Sequence, residues 1–429
     1  MIGHLYTGAE RESRLQALFV AEETDYGDGA TIAPAGLNAI LAMNVKTTPI
    51  AGQLVERQVV QPYLGARPSQ RVGQHMQIEF ELEAAGSGTA ATPPAYDIIM
   101  RAGGMARTIV AGLATIPAAA TIATGAVGRF TFAKTAKYAG LYDRIVTLTC
   151  TTGGGSGVAE FTVSAPATPQ DAAVSVAAQV MTTAAPFPLI QGAVITPSAI
   201  TVDFTVGDVF TLALTPERVA YTPISKFTDS ASLIYERDGI LYRGFGGRFG
   251  VGLKLTAKGF PVWTVKGVCL ALPVDDGAVA GADYSGFREP DTTTRENLPV
   301  CDIDGFGVIF RSLTLGGMEP VYASACNAEG VKLNRKEIKL DIQIDEPALA
   351  DKNFYVLAGE ANGAIPQIPF ALRHGVEAGR IIRVDAPNLE LSTASPQDGG
   401  DDEPPQLALS GKLIPTRGVG NDEFTISIQ

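Results

Sequence analysis

Several groups of residues in this chain are of types and spacings that could do chemistry. Glu79, Glu81 and Glu83 stand two apart and alternate with Ile78, Phe80 and Leu82. In an extended strand that spacing sends three carboxylates out of one face and the apolar trio into the other. A row of carboxylates repels phosphate and gives no counterion release, so such a face would let DNA slide past without holding it. The same row also suits a solvated outer face. A second group lies in the segment from Val55 to Gly73, which carries Glu56, Arg57, Tyr63, Arg67 and Arg71 and is interrupted by Pro62, Gly65 and Pro68. Segments of this length without regular pattern inside a compact domain are binding loops or mobile surface loops.

The remaining candidates are weaker. The run from Asp398 to Glu403 clusters carboxylates as calcium prefers, but it lacks the ligand spacing and the following glutamate of an EF-hand loop. It reads as a solvated hairpin loop between Leu391 and Leu407. His4, His75 and His374 lie far apart and in no recognised catalytic setting. The glycines from Gly244 to Gly252 do not follow the strand-turn-helix order that cradles phosphate, and read as strand and turn glycines. Cys150, Cys269, Cys301 and Cys326 form no C-x-x-C pair, so reduced, partly buried thiols are expected, with no disulfide framework and no zinc site. No catalytic residue, metal or cofactor is expected, and the chain does not read as an enzyme.

Composition narrows the class of protein. At 429 residues the chain has room for two or three domains, and only 18% of it is charged, below the usual quarter. A net charge of −12 argues against binding nucleic acid through its phosphates. The stretch from Thr108 to Gly128 is long enough to cross a bilayer, but it is Ala, Thr and Gly with an internal proline, and no membrane span is expected. Acidic residues precede any apolar run of secretory length, so synthesis in a cytoplasm is expected, with no signal peptide.

The elements that must position these groups are mostly strands. From Val219 onward apolar and polar residues alternate repeatedly. Ser232 to Tyr242 reads as a hairpin turning at Asp238-Gly239, and Phe249 to Leu255 followed by Val262 to Val265 reads as a second, with the lone tryptophan, Trp263, in the core. Ile338 to Ile344 and Phe424 to Ile428 read as further strands, the latter tied into a sheet. Towards the N-terminus a clear strand, Gln77 to Glu83, precedes a Gly-Ser-Gly-Thr loop. A short helix follows, starting near Pro93-Pro94, running through Arg101 and ended by Gly103-Gly104. Between about Thr108 and Pro216 the chain carries four basic and five acidic residues and reads as strand-strand-helix-strand-strand. Its strands are Ile145 to Cys150, Glu160 to Val163, Ile200 to Phe204 and Val209 to Leu214, its helix Thr168 to Thr183. Its aromatics, Phe130, Phe132, Tyr138, Tyr142, Phe161, Phe187, Phe204 and Phe210, fall where strand cores would need them.

Outside that segment, several passages in order carry a resemblance. They are ALFVAEETDYGDGATIAPAGLNAILAMNVKTTPI, then VERQVVQPYLGARPSQRVGQHMQIEFELEAAGSGTAATPPAYDIIMRAGGM. The series continues with VAYTPISKFTDSASLIYERDGILYRGFGGRFGVGLKLTAKGFPVWTVKGVCLAL and closes on IIRVDAPNLELSTASPQDGGDDEPPQLALSGKLIPTRGVGNDEFTISIQ. Together they resemble the major tail tube proteins of bacteriophages with long, non-contractile tails, the siphophages. Residues 109–216 resemble the small modules that decorate phage structural proteins.

The resemblance implies a mainly β fold: a discontinuous β-sandwich or barrel core over 1–108 and 217–429 with a flanking helix, and an inserted small α+β domain over 109–216. It implies a structural subunit of the virion tail that forms hexameric rings, stacked into a tube through which viral double-stranded DNA passes to the host without specific binding. Tape-measure, tail terminator and distal tail proteins are its implied partners, besides further copies of itself. On this reading Glu79, Glu81 and Glu83 are lumen-facing candidates, and Glu56, Arg57, Tyr63, Arg67 and Arg71 belong to a ring-stacking loop. The insertion, facing outward, would touch host-surface glycans or simply thicken the tube. A β-rich adhesin or carbohydrate-binding virion protein is the alternative.

Overall fold

In the computed structural model the described residues are 14–28, 36–60, 62, 64–110, 114–115, 121–122, 129–136, 138–168, 172–226, 229–279, 281–334, 337–359, 364–399 and 403–429. The protein is mainly β, with 55% in strands and 4% helical.

One antiparallel ladder organises most of the chain. It starts at the edge strand Ala42–Glu56 and runs through Ser69–Glu83, Val262–Ala271, Ile240–Thr256, Phe310–Leu315, Ile338–Asp345, Gln406–Leu413 and Ile382–Gln397. From there it continues through Thr425–Ile428 and Arg218–Pro223 to Met105–Val110. A branch leaves the first half of Ile240–Thr256 through Ala231–Arg237 to Gln16–Glu22. Phe80, Trp263, Leu313, Ile342, Leu409 and Ile426, drawn from along the whole ladder, meet in one buried cluster. The sheet therefore curls around a single core, which burial of these large side chains holds together.

Local chemistry sets the connections. Asp238 and Gly239 both have positive φ, 44° and 78°, the conformation a two-residue hairpin turn demands, and Arg237 faces Ile240 across it. Lys258, φ 64°, turns the next hairpin beside Gly259. Trp263, 1% exposed, packs at 6.1 Å from Tyr96, whose hydroxyl donates to the Ala85 carbonyl at 2.7 Å. The helix expected near Pro93-Pro94 covers Asp97–Ala102, and Gly103 caps it. Before it, the Asp97 N–H donates to the Pro94 carbonyl, so Pro94 sits in a turn that leads into the helix. Ile99 and Met100 are fully buried, so two apolar residues and not length account for this helix.

A second core lies between residues 130 and 214. The strands Val174–Val180, Glu160–Ala165, Arg144–Thr152 and Val209–Leu214 pair in that order. A three-stranded sheet joins Phe187–Pro188, Val194–Val202 and Arg129–Ala136. Phe161 and Phe204 meet edge to face at 4.9 Å, and Phe210 and the partly buried Phe130 complete the cluster. The chain leaves the main ladder after Val110 and returns at Arg218, and those two residues are cross-strand partners.

Two expectations are corrected. The helix expected over Thr168 to Thr183 is not formed where the structure describes it, because Val174–Val180 is a strand paired with Glu160–Ala165. Val174 and Val176 alternate with exposed neighbours and pack on the second core, so half-buried β-branched side chains outweigh the helix-start look of Thr168-Pro169. The unit is thus built of strands alone among its described residues. The other correction is one of extent: the strand expected at Gln77 begins at Ser69.

Candidate assembly surface

The strands Ala42–Glu56 and Ser69–Glu83 are 15 residues each, close to 50 Å of extended chain at about 3.3 Å per residue. Their near halves differ from their far halves. Met76, Ile78, Phe80 and Leu82 enter the main core, whereas Gln53 to Glu56 and Ser69 to Val72 are exposed. The far half is therefore a two-stranded arm wetted on both faces, an element with little stability of its own in water. Leu54 faces Arg71 and Glu56 faces Ser69, and the Arg71 guanidinium donates to the Ile50 carbonyl at 2.6 Å. At the tip Arg67 bonds the Gln58 side chain, and the Arg57 N–H donates to the Pro68 carbonyl at 3.3 Å. Ile50, Leu54, Val55 and Val72 are exposed along the arm, and Val60 and Leu64 are fully exposed at its tip. Apolar side chains exposed together on one element make it a candidate interaction surface.

The structure brings four of the five loop candidates together here. Glu56 ends the first strand, Arg57 and Arg67 lie in the tip, Arg71 is on the returning strand, and all four are exposed. Tyr63 lies outside the described residues. The apolar residues of the arm are an addition to the sequence-based candidates, although their signal is present in Leu54-Val55 and Val59-Val60 beside prolines.

A short hairpin, Glu319–Ala325 with Ala328–Asn334, packs against the base of the arm. The Tyr322 ring stacks on His75 with 4.7 Å between centroids and 11° between planes. The Val331 N–H donates to the Tyr26 hydroxyl at 2.6 Å.

Glu79, Glu81 and Glu83 leave the sheet on the face opposite the core, but the face is not purely acidic. Glu79 stands between Lys266 on one neighbouring strand and Lys46 on the other. Glu81 faces Thr264 and accepts from the Asn44 amide at 2.6 Å, and Glu83 faces Val262. Cross-strand pairing of opposite charges stabilises the sheet locally and leaves the trio with two lysines against three carboxylates. Further along the same face Lys412 pairs with Glu390 at 2.8 Å.

Other titratable groups are occupied in holding the fold. Asp97 accepts from Arg101 at 2.9 Å, Arg107 at 2.7 Å and the Tyr221 hydroxyl at 2.7 Å. Arg101 also reaches Asp229 at 2.7 Å and Glu22 at 2.5 Å, and this hydrogen bond holds the Glu22 carboxyl below its usual range. Burial, with the Asp97 charge beside it, keeps the Tyr221 phenol protonated well above its usual range. Burial pushes the thiols of Cys269 and Cys301 up to about 12, so neither is a ready nucleophile, and Cys326 is exposed. His374 is 1% exposed, and burial pushes its pKa below the ordinary value. His4 lies outside the described residues. The acidic run is flanked by paired strands, with Gln397 facing Gln406, while residues 400–402 are outside the described ones. Among the described residues no three His, Cys, Asp or Glu side chains could hold a metal, and no helix is long and apolar enough to cross a membrane.

No family model matches the sequence, and no curated protein matches it.

Proposed function

We propose that this chain is the structural subunit of a phage tail tube, closing into six-membered rings that stack around a channel for viral DNA. The observation that carries the reading is the arm built from Ala42–Glu56 and Ser69–Glu83, which leaves the core and ends in exposed apolar and basic residues. An arm of that kind is stable only when another surface covers it, and a head-to-tail contact between copies propagates into a filament. The strand Ala42–Glu56 pairs only with Ser69–Glu83 among the described residues, and such an edge suits lateral joining of subunits into a ring. The channel reading of the Glu79 face belongs to this proposal. So do partnership with tape-measure, terminator and distal tail proteins, and residence in the virion tail. The adhesin reading is weakened by the aromatics of residues 130–214. The phenylalanines and Tyr138 are buried or half-buried in the second core, and the half-buried Tyr142 ring lies under the Arg373 guanidinium, so none of them is an open stacking platform for sugars.

Negative-stain electron microscopy of the purified protein over a concentration series tests this. Six-fold rings or stacked tubes are expected from the wild type, and from a variant lacking residues 58–66 at most single rings. Monomers of wild type at every concentration, even with the other tail proteins added, would overturn the proposal.

A further inference from the structure

A wide cleft lies far in sequence from the arm. It encloses about 990 Å³ between the Lys258 turn and the segments around Thr293–Asp302 and Gly307–Phe310. That volume is at the top of the range of ligand pockets, roughly 300–1,000 Å³. Its floor is apolar, supplied by Leu298, Val300, Val308 and Phe310, and Ile309 stands 67% exposed at its mouth. Thr293, 3% exposed, lines it at depth. The rim carries both signs of charge, Lys258 and Arg295 with Glu296.

The arm tip is the counterpart of this shape. Val60 and Leu64 are fully exposed there, so they do not fill any cleft of their own chain. Residues 57–68 hold two arginines and no carboxylate on a chain of net charge −12, and Glu56 stands next to Arg57. A basic tip is drawn to the acidic body of another copy, and adjacent charges of both signs match a rim of both signs. A protruding apolar knob and an apolar cleft at separate places on one molecule make a heterologous contact that repeats without closing.

We infer that the cleft bounded by Thr293, Leu298 and Ile309 receives the arm tip of a second copy of this chain, with Leu64 seated against Ile309. The inference rests on the tube reading and adds the receiving surface.

Disulfide trapping tests it in chains carrying Cys326→Ser, which removes the exposed native thiol. Leu64→Cys and Ile309→Cys both replace exposed side chains, so the fold tolerates them. Assembled at high concentration and oxidised, the Leu64→Cys/Ile309→Cys chain gives a ladder of covalent multimers on a non-reducing gel, which collapses on reduction. Each single variant gives monomer and at most dimer. Tubes visible by microscopy with no ladder above dimer would overturn the cleft as receiver while leaving the tube reading intact. Absence of any rings or tubes from both the wild type and the Cys326→Ser parent, even with the other tail proteins added, would overturn both.

Discussion

The Arg373 guanidinium lies over the Tyr142 ring, 4.0 Å from its centroid, and donates to the Leu141 carbonyl at 3.2 Å. Arg373 belongs to the strand Gln367–His374 of the main ladder, and Tyr142 to the segment that leads into the second core. Beside them Asp143 accepts from Arg218 at 3.1 Å and from Arg383 at 2.9 Å. Three arginines of one core thus grip three consecutive residues of the other, and hold the second unit against the main ladder at more than its two chain connections.

Replacing Arg373 by Ala removes a desolvated cation–π contact and the bond to Leu141, worth together about 2–3 kcal/mol. The loss falls at the joint, so the second unit is expected to melt first. Calorimetry should resolve one cooperative transition into two, with Arg373→Lys intermediate because it keeps the charge but not the planar stack. A single unaltered transition would show that the grip contributes nothing to cooperativity.

Asp97 is the hub of the Arg101, Arg107 and Tyr221 network. Asp97→Asn keeps its volume and removes its charge, leaving two guanidinium groups without their shared carboxylate. Breaking a largely buried pair in this way costs roughly 2–4 kcal/mol. The urea midpoint should fall accordingly, whereas Glu22→Gln, at the half-exposed side of the same network, should lower it much less.

His374 makes stability depend on mild acid. Burial holds its folded pKa below the ordinary 6.5, with nearby Asp291 opposing the shift. Below pH 6.5 the unfolded chain takes up a proton that the folded chain refuses, so the contribution of the neutral ring is complete above 6.5 and is lost as the pH falls through the lower folded value. Unfolding midpoints measured from pH 7 to pH 5 should decline in the wild type and decline less in His374→Gln.

The stretches of this fold that are readable in the sequence are those where local chemistry and tertiary packing agree. Asp238-Gly239 announces its turn, and Ile338 to Ile344 alternates because one face is buried and the other wet. The Ala42–Glu56 strand carries no such signal. Its far half is wet on both faces, and Pro49 sits within it, tolerable only because this is an edge strand. Val174–Val180 misleads for a related reason: its Ala-Ala-Gln centre suits a helix, and only pairing with Glu160–Ala165 decides otherwise. The arm residues Arg57, Arg67 and Arg71 are conspicuous through their charge, while Val60 and Leu64 are not, because apolar residues are normally assigned to cores. The lysines beside Glu79 are visible as residues but not as neighbours, since cross-strand register joins Glu79 to Lys266 with the whole of residues 109–216 lying between them in sequence.

On the proposed tube reading, that register makes the Glu79 face a sharp test of which surface lines the channel. Replacing Glu79, Glu81 and Glu83 together by Gln leaves Lys46 and Lys266, with Lys254 in register beyond Val262, so the charge of the three glutamates and their two flanking lysines changes from −1 to +2. The three side chains are exposed or half-exposed, and the fold should survive with a stability change within about 1 kcal/mol. If the face lines the channel, six copies per ring present a basic band, and tubes of the variant should retain DNA where wild-type tubes release it. Retention should weaken steeply with salt, because each phosphate contact displaces counterions. DNA release from assembled tails, followed from about 50 to 300 mM salt, separates the outcomes. A variant slowed only at low salt places the face in the channel, whereas one that releases DNA like the wild type at every salt concentration places it outside.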